Sequence, residues 1–87
     1  MKVRVETKLT VAEGTRSFIR VIDMPAPPFV GLMLVGRGWK VEIERVSYAP
    51  ESGEYTASCT AVIAGDASLD DRARIFEIDG WRAAAAK

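Results

Sequence analysis

The chain has 87 residues, 48% of them apolar and 28% charged, with equal numbers of basic and acidic side chains and no net charge. That composition belongs to an ordinary globular protein of one domain; it sets aside the disordered and membrane-embedded classes and leaves no generic electrostatic grip on nucleic acid or an anionic membrane. Histidine is absent and Cys59 is the single cysteine, which excludes histidine-containing triads, intrachain disulfides and cysteine-based metal frameworks.

From residue 2 to residue 11 apolar and polar side chains alternate. Val3, Val5, Leu9 and Val11 share one face with Thr7, while Lys2, Arg4, Glu6, Lys8 and Thr10 occupy the other, the period of a half-buried strand. The pattern begins directly at Met1-Lys2-Val3 with no charged-then-apolar leader, so a cytoplasmic protein is expected. Glu13-Gly14 signals a short turn, and residues 15–24 are predicted to return as the second strand of a hairpin. There Phe18 and Ile22 point one way, Ile19 and Val21 the other. Burial on both faces and a bulge that changes phase are both open at this point.

In Met24-Pro25-Ala26-Pro27-Pro28 the three prolines cannot donate ladder hydrogen bonds and hold the chain extended. The segment reads as a rigid crossover, with a polyproline surface for a partner's aromatic groove as the functional alternative. Residues 29–35 are apolar on both faces and are predicted to form a central strand. After the Gly36-Arg37-Gly38 turn, residues 39–49 form a fourth strand whose apolar phase shifts at Glu44-Arg45, the mark of a β-bulge. Pro50-Glu51-Ser52-Gly53 turns the chain into a fifth strand, residues 54–63. Its small inward residues Ala57, Cys59 and Ala61 call for a bulky cover. A helix over residues 68–79 supplies it: Ser68 is its N-cap, Asp70 and Asp71 lie in its first turn, and Gly80 ends it with Trp81 folded back. The expectation is a single domain over residues 1–82, mainly β with one helix, its five strands forming a curled, mostly antiparallel sheet or a small barrel. Residues 83–87 are expected to be a frayed tail.

Residues 1–45 hold eight Lys/Arg against five Asp/Glu, and the remainder four against seven. Folding can keep that asymmetry as a dipole or interleave it away.

Candidate chemistry is sparse. Glu42 and Glu44 lie two apart on one strand face, a spacing compatible with an acid/base pair, yet alternation with Val41 and Ile43 makes them a solvated face. Asp70 and Asp71 are explained by the helix N-terminus without a metal, and Cys59 by packing in the core. No cofactor or metal is expected, and the chain reads as non-enzymatic. The remaining cluster is aromatic and basic: Arg16, Arg20, Arg37, Trp39, Lys40, Arg45 and Tyr48 form the candidate binding surface, because exposed aromatics stack bases and arginines meet phosphate in small β-barrels. The competing explanation is that Trp39 and Tyr48 belong to the core.

The run Ile22-Asp23-Met24-Pro25-Ala26-Pro27-Pro28-Phe29-Val30-Gly31, followed by Lys40-Val41-Glu42-Ile43-Glu44-Arg45-Val46 and a turn-separated last strand, resembles short uncharacterised proteins of bacteria and their phages with small curled β-sheets or SH3-like barrels. The resemblance spans residues 15–63. It implies an architecture and, by association of type, a protein that binds and blocks a host protein. The expected partner is therefore another protein, or a second copy of the chain through a sheet edge; single-stranded nucleic acid is the alternative, and no membrane association is expected.

Overall fold

The computed structural model describes residues 1–11, 14–61 and 68–84. Among them, six strands and one helix follow in chain order: β1 (Lys2–Val11), β2 (Gly14–Asp23), β3 (Met33–Val35), β4 (Lys40–Ala49), β5 (Glu54–Ala61), α1 (Leu69–Ile78) and β6 (Arg82–Ala83). They build one sheet in the order β3-β4-β5-β1-β2-β6, with β3 and β6 as its two edges. The protein is thus mainly β with one short helix, and its sheet does not close into a barrel.

Central β1 pairs antiparallel with β2 from Lys2↔Asp23 to Val11↔Gly14 and parallel with β5 from Val3↔Tyr55 to Lys8↔Thr60. Its strict alternation fits that place. Val3, Val5, Thr7 and Leu9 are buried on the face that carries α1, and their polar neighbours line the opposite, open face. The unbroken β1–β2 register settles the phase of β2. Phe18 is buried opposite Thr7, whereas Ile19 and Val21 stand on the open face, Val21 well exposed, with no bulge between them. The bulge expected in the fourth strand is present: pairing passes from Ile43↔Cys59 to Arg45↔Ser58, leaving Glu44 as the extra residue. The Thr60 hydroxyl donates to its carboxylate at 2.7 Å.

Helix α1 begins and ends on local chemistry. The Ser68 side chain accepts from the Asp71 amide, and acidic Asp70 and Asp71 sit where the dipole favours them. At the other end Trp81 N–H donates to Phe76 C=O and Gly80 N–H to Glu77 C=O, the paired bonds of a Schellman motif, with Gly80 at φ +95°. The associated hydrophobic contact is the edge-on meeting of Trp81 and Phe76, 5.4 Å between ring centroids. Phe76 also stacks on Phe18 at 5.1 Å, and Trp39 meets Trp81 edge-on at 5.2 Å. These four rings, with the aliphatic side chains of β1 and β4, form the core. Each ring pair contributes about 0.5–1.5 kcal/mol beyond its area burial. Cys59 is buried among them, and burial pushes its thiol up to about 11 against the opposing pull of the Thr7 hydroxyl, which suits an inert core residue.

Three expectations need correction. The sheet has six strands, because the chain after Trp81 turns up beside β2, where Ala83 pairs with Phe18 and the Ala84 amide donates to Ser17 C=O. Residues 29–35 are not a central strand. Only Met33–Val35 is extended and it lies at an edge, since Pro27 and Pro28 lead into it and Gly31 adopts φ +95°, which breaks the ladder. Phe29, expected inside, is exposed. The predicted Glu13 turn, the last two residues of the strand predicted at 54–63, and positions 85–87 of the predicted tail lie outside the described residues.

Position in the sheet accounts for the prolines. The chain must pass from β2 to β3 across four strand spacings, about 19 Å at the usual inter-strand distance, and the proline-rich residues 24–28, at about 3.1 Å each, cover about 16 Å of it before the turn that joins Leu32 N–H to Phe29 C=O. Pairing of Met24 N–H with Met1 C=O at 2.7 Å secures the start of that crossover.

Candidate functional site

The seven aromatic and basic candidates are divided between the two sides of the sheet. Trp39 is 8% exposed and belongs to the ring cluster. Its indole N–H donates to the Asp79 carboxylate at the end of α1. Arg20 reaches the same carboxylate at 3.5 Å, and the Arg37 amide and guanidinium face it from the β3–β4 turn. Arg16 pairs with Asp70 at 2.8 Å on the solvent side. Arg16, Arg20, Arg37 and Trp39 are therefore brought together with acids of α1. Lys40 and Arg45 stand on the open face, opposite Val35 and Ser58 respectively. Tyr48 is nine residues along β4 from Trp39, about 30 Å away by strand geometry. It is 51% exposed and tilts onto Tyr55, 4.6 Å between centroids.

Asp79 is the residue that sequence reasoning passed over. A carboxylate at a helix C-terminus opposes the macrodipole, and nothing basic lies in the last turn of α1 to offset it. The offset comes from other elements. The Trp39 hydrogen bond, then the charges of Arg20 and Arg37 and the Arg37 amide, hold the Asp79 carboxyl below its ordinary range despite partial burial. This group latches the β3–β4 turn and β2 to the end of the helix.

The latch also explains Gly36. A Cβ at that position would lie 2.0 Å from the Trp39 ring, so only glycine lets the indole fold back across the turn.

The β3 edge also holds unsatisfied backbone capacity. Ile43 N–H donates to Leu32 C=O at 2.9 Å and Gly36 N–H to Trp39 C=O at 3.0 Å. The Leu32 C=O, the backbone groups of Leu34 and the Gly36 N–H therefore turn inward to β4, and alternation turns the N–H and C=O of Met33 and Val35 outward. Around them apolar side chains stand in solvent: Phe29 59%, Val30 64%, Met33 39% and Val35 68% exposed. From Met24 to Gly36 no residue is charged. Edge strands are ordinarily guarded by lysine, proline or an inward charge along their length, and residues 29–36 carry none of these. The sequence signal for this site was already there in the apolar run 29–35, but apolarity on both faces is shared by a buried central strand and an adhesive edge.

The open face holds a shallow groove of about 880 Å³ lined by Glu6, Lys8, Ser17, Glu44, Ser58 and Thr60 among others. Its lining mixes both charges and small hydroxyls with the apolar Ile19, Ala83 and Ala84. Among the described residues no three His, Cys, Asp or Glu side chains come close enough to hold a metal ion, and no helix is long and apolar enough to cross a membrane. No protein-family model, curated protein or solved structure matches this chain.

Proposed function

We propose that the chain is a non-enzymatic protein-binding module, acting in the cytoplasm, that captures an extended segment of its partner on the β3 edge. The observation that carries this is an uncharged edge with outward backbone groups at Met33 and Val35, ringed by four exposed apolar side chains. Strand addition uses that combination: main-chain hydrogen bonds supply affinity, and alternate side chains supply selectivity. Contiguous exposed apolar surface on a small protein marks an interaction site more often than chance. The likeness to small SH3-like β-proteins of bacteria and phages would make the partner a host protein held inactive by occupation.

A display library of short extended peptides provides the test. Wild-type protein is expected to retain apolar-alternating segments, and Val35→Lys, a change at an exposed side chain, to lose at least tenfold in retention. Undiminished retention by Val35→Lys, or none by wild type, would overturn the proposal.

Single-stranded nucleic acid is the second reading, favoured by the exposed Tyr48 tilted against Tyr55. A base stacked there would contribute about 1–3 kcal/mol. Titration with mixed oligonucleotides at low salt, repeated with Tyr48→Ala, decides it: binding that weakens about fivefold or more on removing the ring supports this reading, and no binding at low salt removes it.

A further inference from the structure

Building on β3 as a docking edge, we propose that the partner best matched to it is a second copy of this chain, the two β3 strands pairing antiparallel about a two-fold axis at Leu34. The backbone fits first. In that register Met33 lies opposite Val35 of the second copy, and these are the residues whose N–H and C=O groups point outward. Each such pair exchanges two hydrogen bonds, and the axis generates a second pair. Leu34, whose backbone groups are already engaged with β4, falls on the axis as the non-hydrogen-bonded centre.

Side chains fit the same register. Met33 and Val35 lie on the open face, so apolar meets apolar across the axis. Leu34 meets its own copy on the other face, where its neighbour in β4 is Val41.

Charge then selects this register over its neighbours. Within one chain Lys40 stands beside Val35 and Glu42 beside Met33. The two-fold at Leu34 therefore makes a row across the joined sheets of Lys40, Val35, the second copy's Met33 and the second copy's Glu42, with opposite charges at its ends. A slip that brings Val35 against its own copy puts lysine at both ends of the row. The slip that brings Met33 against its copy puts glutamate at both. A one-residue slip turns the side chains to the wrong face. Zero net charge adds no long-range repulsion between copies, and an isologous two-fold contact closes on itself and so stops at a dimer.

Sedimentation equilibrium of the full chain from micromolar to hundreds of micromolar, at low salt, is expected to show a reversible monomer–dimer equilibrium. Lys40→Glu should weaken it several-fold, and Lys40→Glu combined with Glu42→Lys should restore it. Register is read by mild oxidation of Leu34→Cys. Opposed residues of a non-hydrogen-bonded pair lie about 4.5 Å apart at Cα, within disulfide reach, so this variant should cross-link at least tenfold faster than Ser47→Cys on exposed β4. A monomer at every concentration, or a dimer indifferent both to the charge exchange and to the position of the cysteine, would overturn the inference. A strict monomer that still retains displayed peptides in a Val35-dependent way removes the second copy and leaves the docking edge standing. If it retains none, both fall.

Discussion

Gly36 and Asp79 both act on the Nε1 edge of one indole. A methyl group at residue 36 would occupy space held by the Trp39 ring, 2.0 Å from its nearest atom. The ring cannot yield without losing its hydrogen bond to Asp79 and its contacts with Phe76 and Trp81. Gly36→Ala should therefore destabilise the protein by about 1–3 kcal/mol, the range for overpacked cores, measured as a lower urea midpoint at unchanged slope. A neutral result would mean that the indole is not held there. Asp79 makes a prediction in pH. Its folded carboxyl titrates below its unfolded value, so its contribution is complete above the unfolded pKa of about 3.9 and disappears as pH falls through the folded value. Asp79→Asn keeps an acceptor for Trp39 and loses the charge facing Arg20 and Arg37. Thermal melts should place the variant below wild type at pH 7, with the gap closing as pH falls below the ordinary aspartate value; a gap independent of pH would contradict the charge role. Cys59 as a core residue was legible from alternation alone. Asp79 was not, because its partner Trp39 is 40 positions away and local sequence carries no trace of the meeting.

At the scale of single elements, local chemistry was legible wherever it is self-contained. The ends of α1 follow from Ser68, Asp70, Asp71 and Gly80, and the β4 bulge from a phase shift at Glu44-Arg45. Gly80→Ala places a Cβ in the left-handed region and should cost about 1–2 kcal/mol in chemical denaturation, with the loss reflecting the Trp81 clamp as well as the helix end. A loss no larger than that of an exposed surface substitution would show that the clamp does not depend on the Schellman turn. Elements whose identity depends on their neighbours were less legible. The run at 29–35 has the composition of a central strand, but the prolines before it and Gly31 within it confine the ladder to Met33–Val35 at the border. Arg82–Ala83 became a strand only because Trp81 is anchored by the helix cap and delivers the chain beside Phe18.

For the whole molecule, the opposition between a basic first half and an acidic second half is spent in bringing them together. Arg16 and Arg20 of β2 pair with Asp70 and Asp79, which lie at the two ends of α1 and belong to the other half. The parallel join of β1 to β5 interleaves the halves again. A mainly β class with one covering helix was legible in composition and period. Strand order was not, since parallel pairing between residues fifty apart leaves no local mark.

That join has a consequence for how the protein is made. The β1–β2 hairpin is made before the segments that pair with it and cover it, with Val3, Val5, Leu9 and Phe18 already aligned on one side. The rings that cover them, Phe76 and Trp81, follow much later in the sequence. At synthesis rates of about 5–20 residues per second, the hairpin spends seconds as a bare apolar ribbon whose β5 neighbour does not yet exist. The nascent hairpin is thus a sticky intermediate by construction, and the rate at which the ribosome delivers residues 24–81 governs how long it must survive alone.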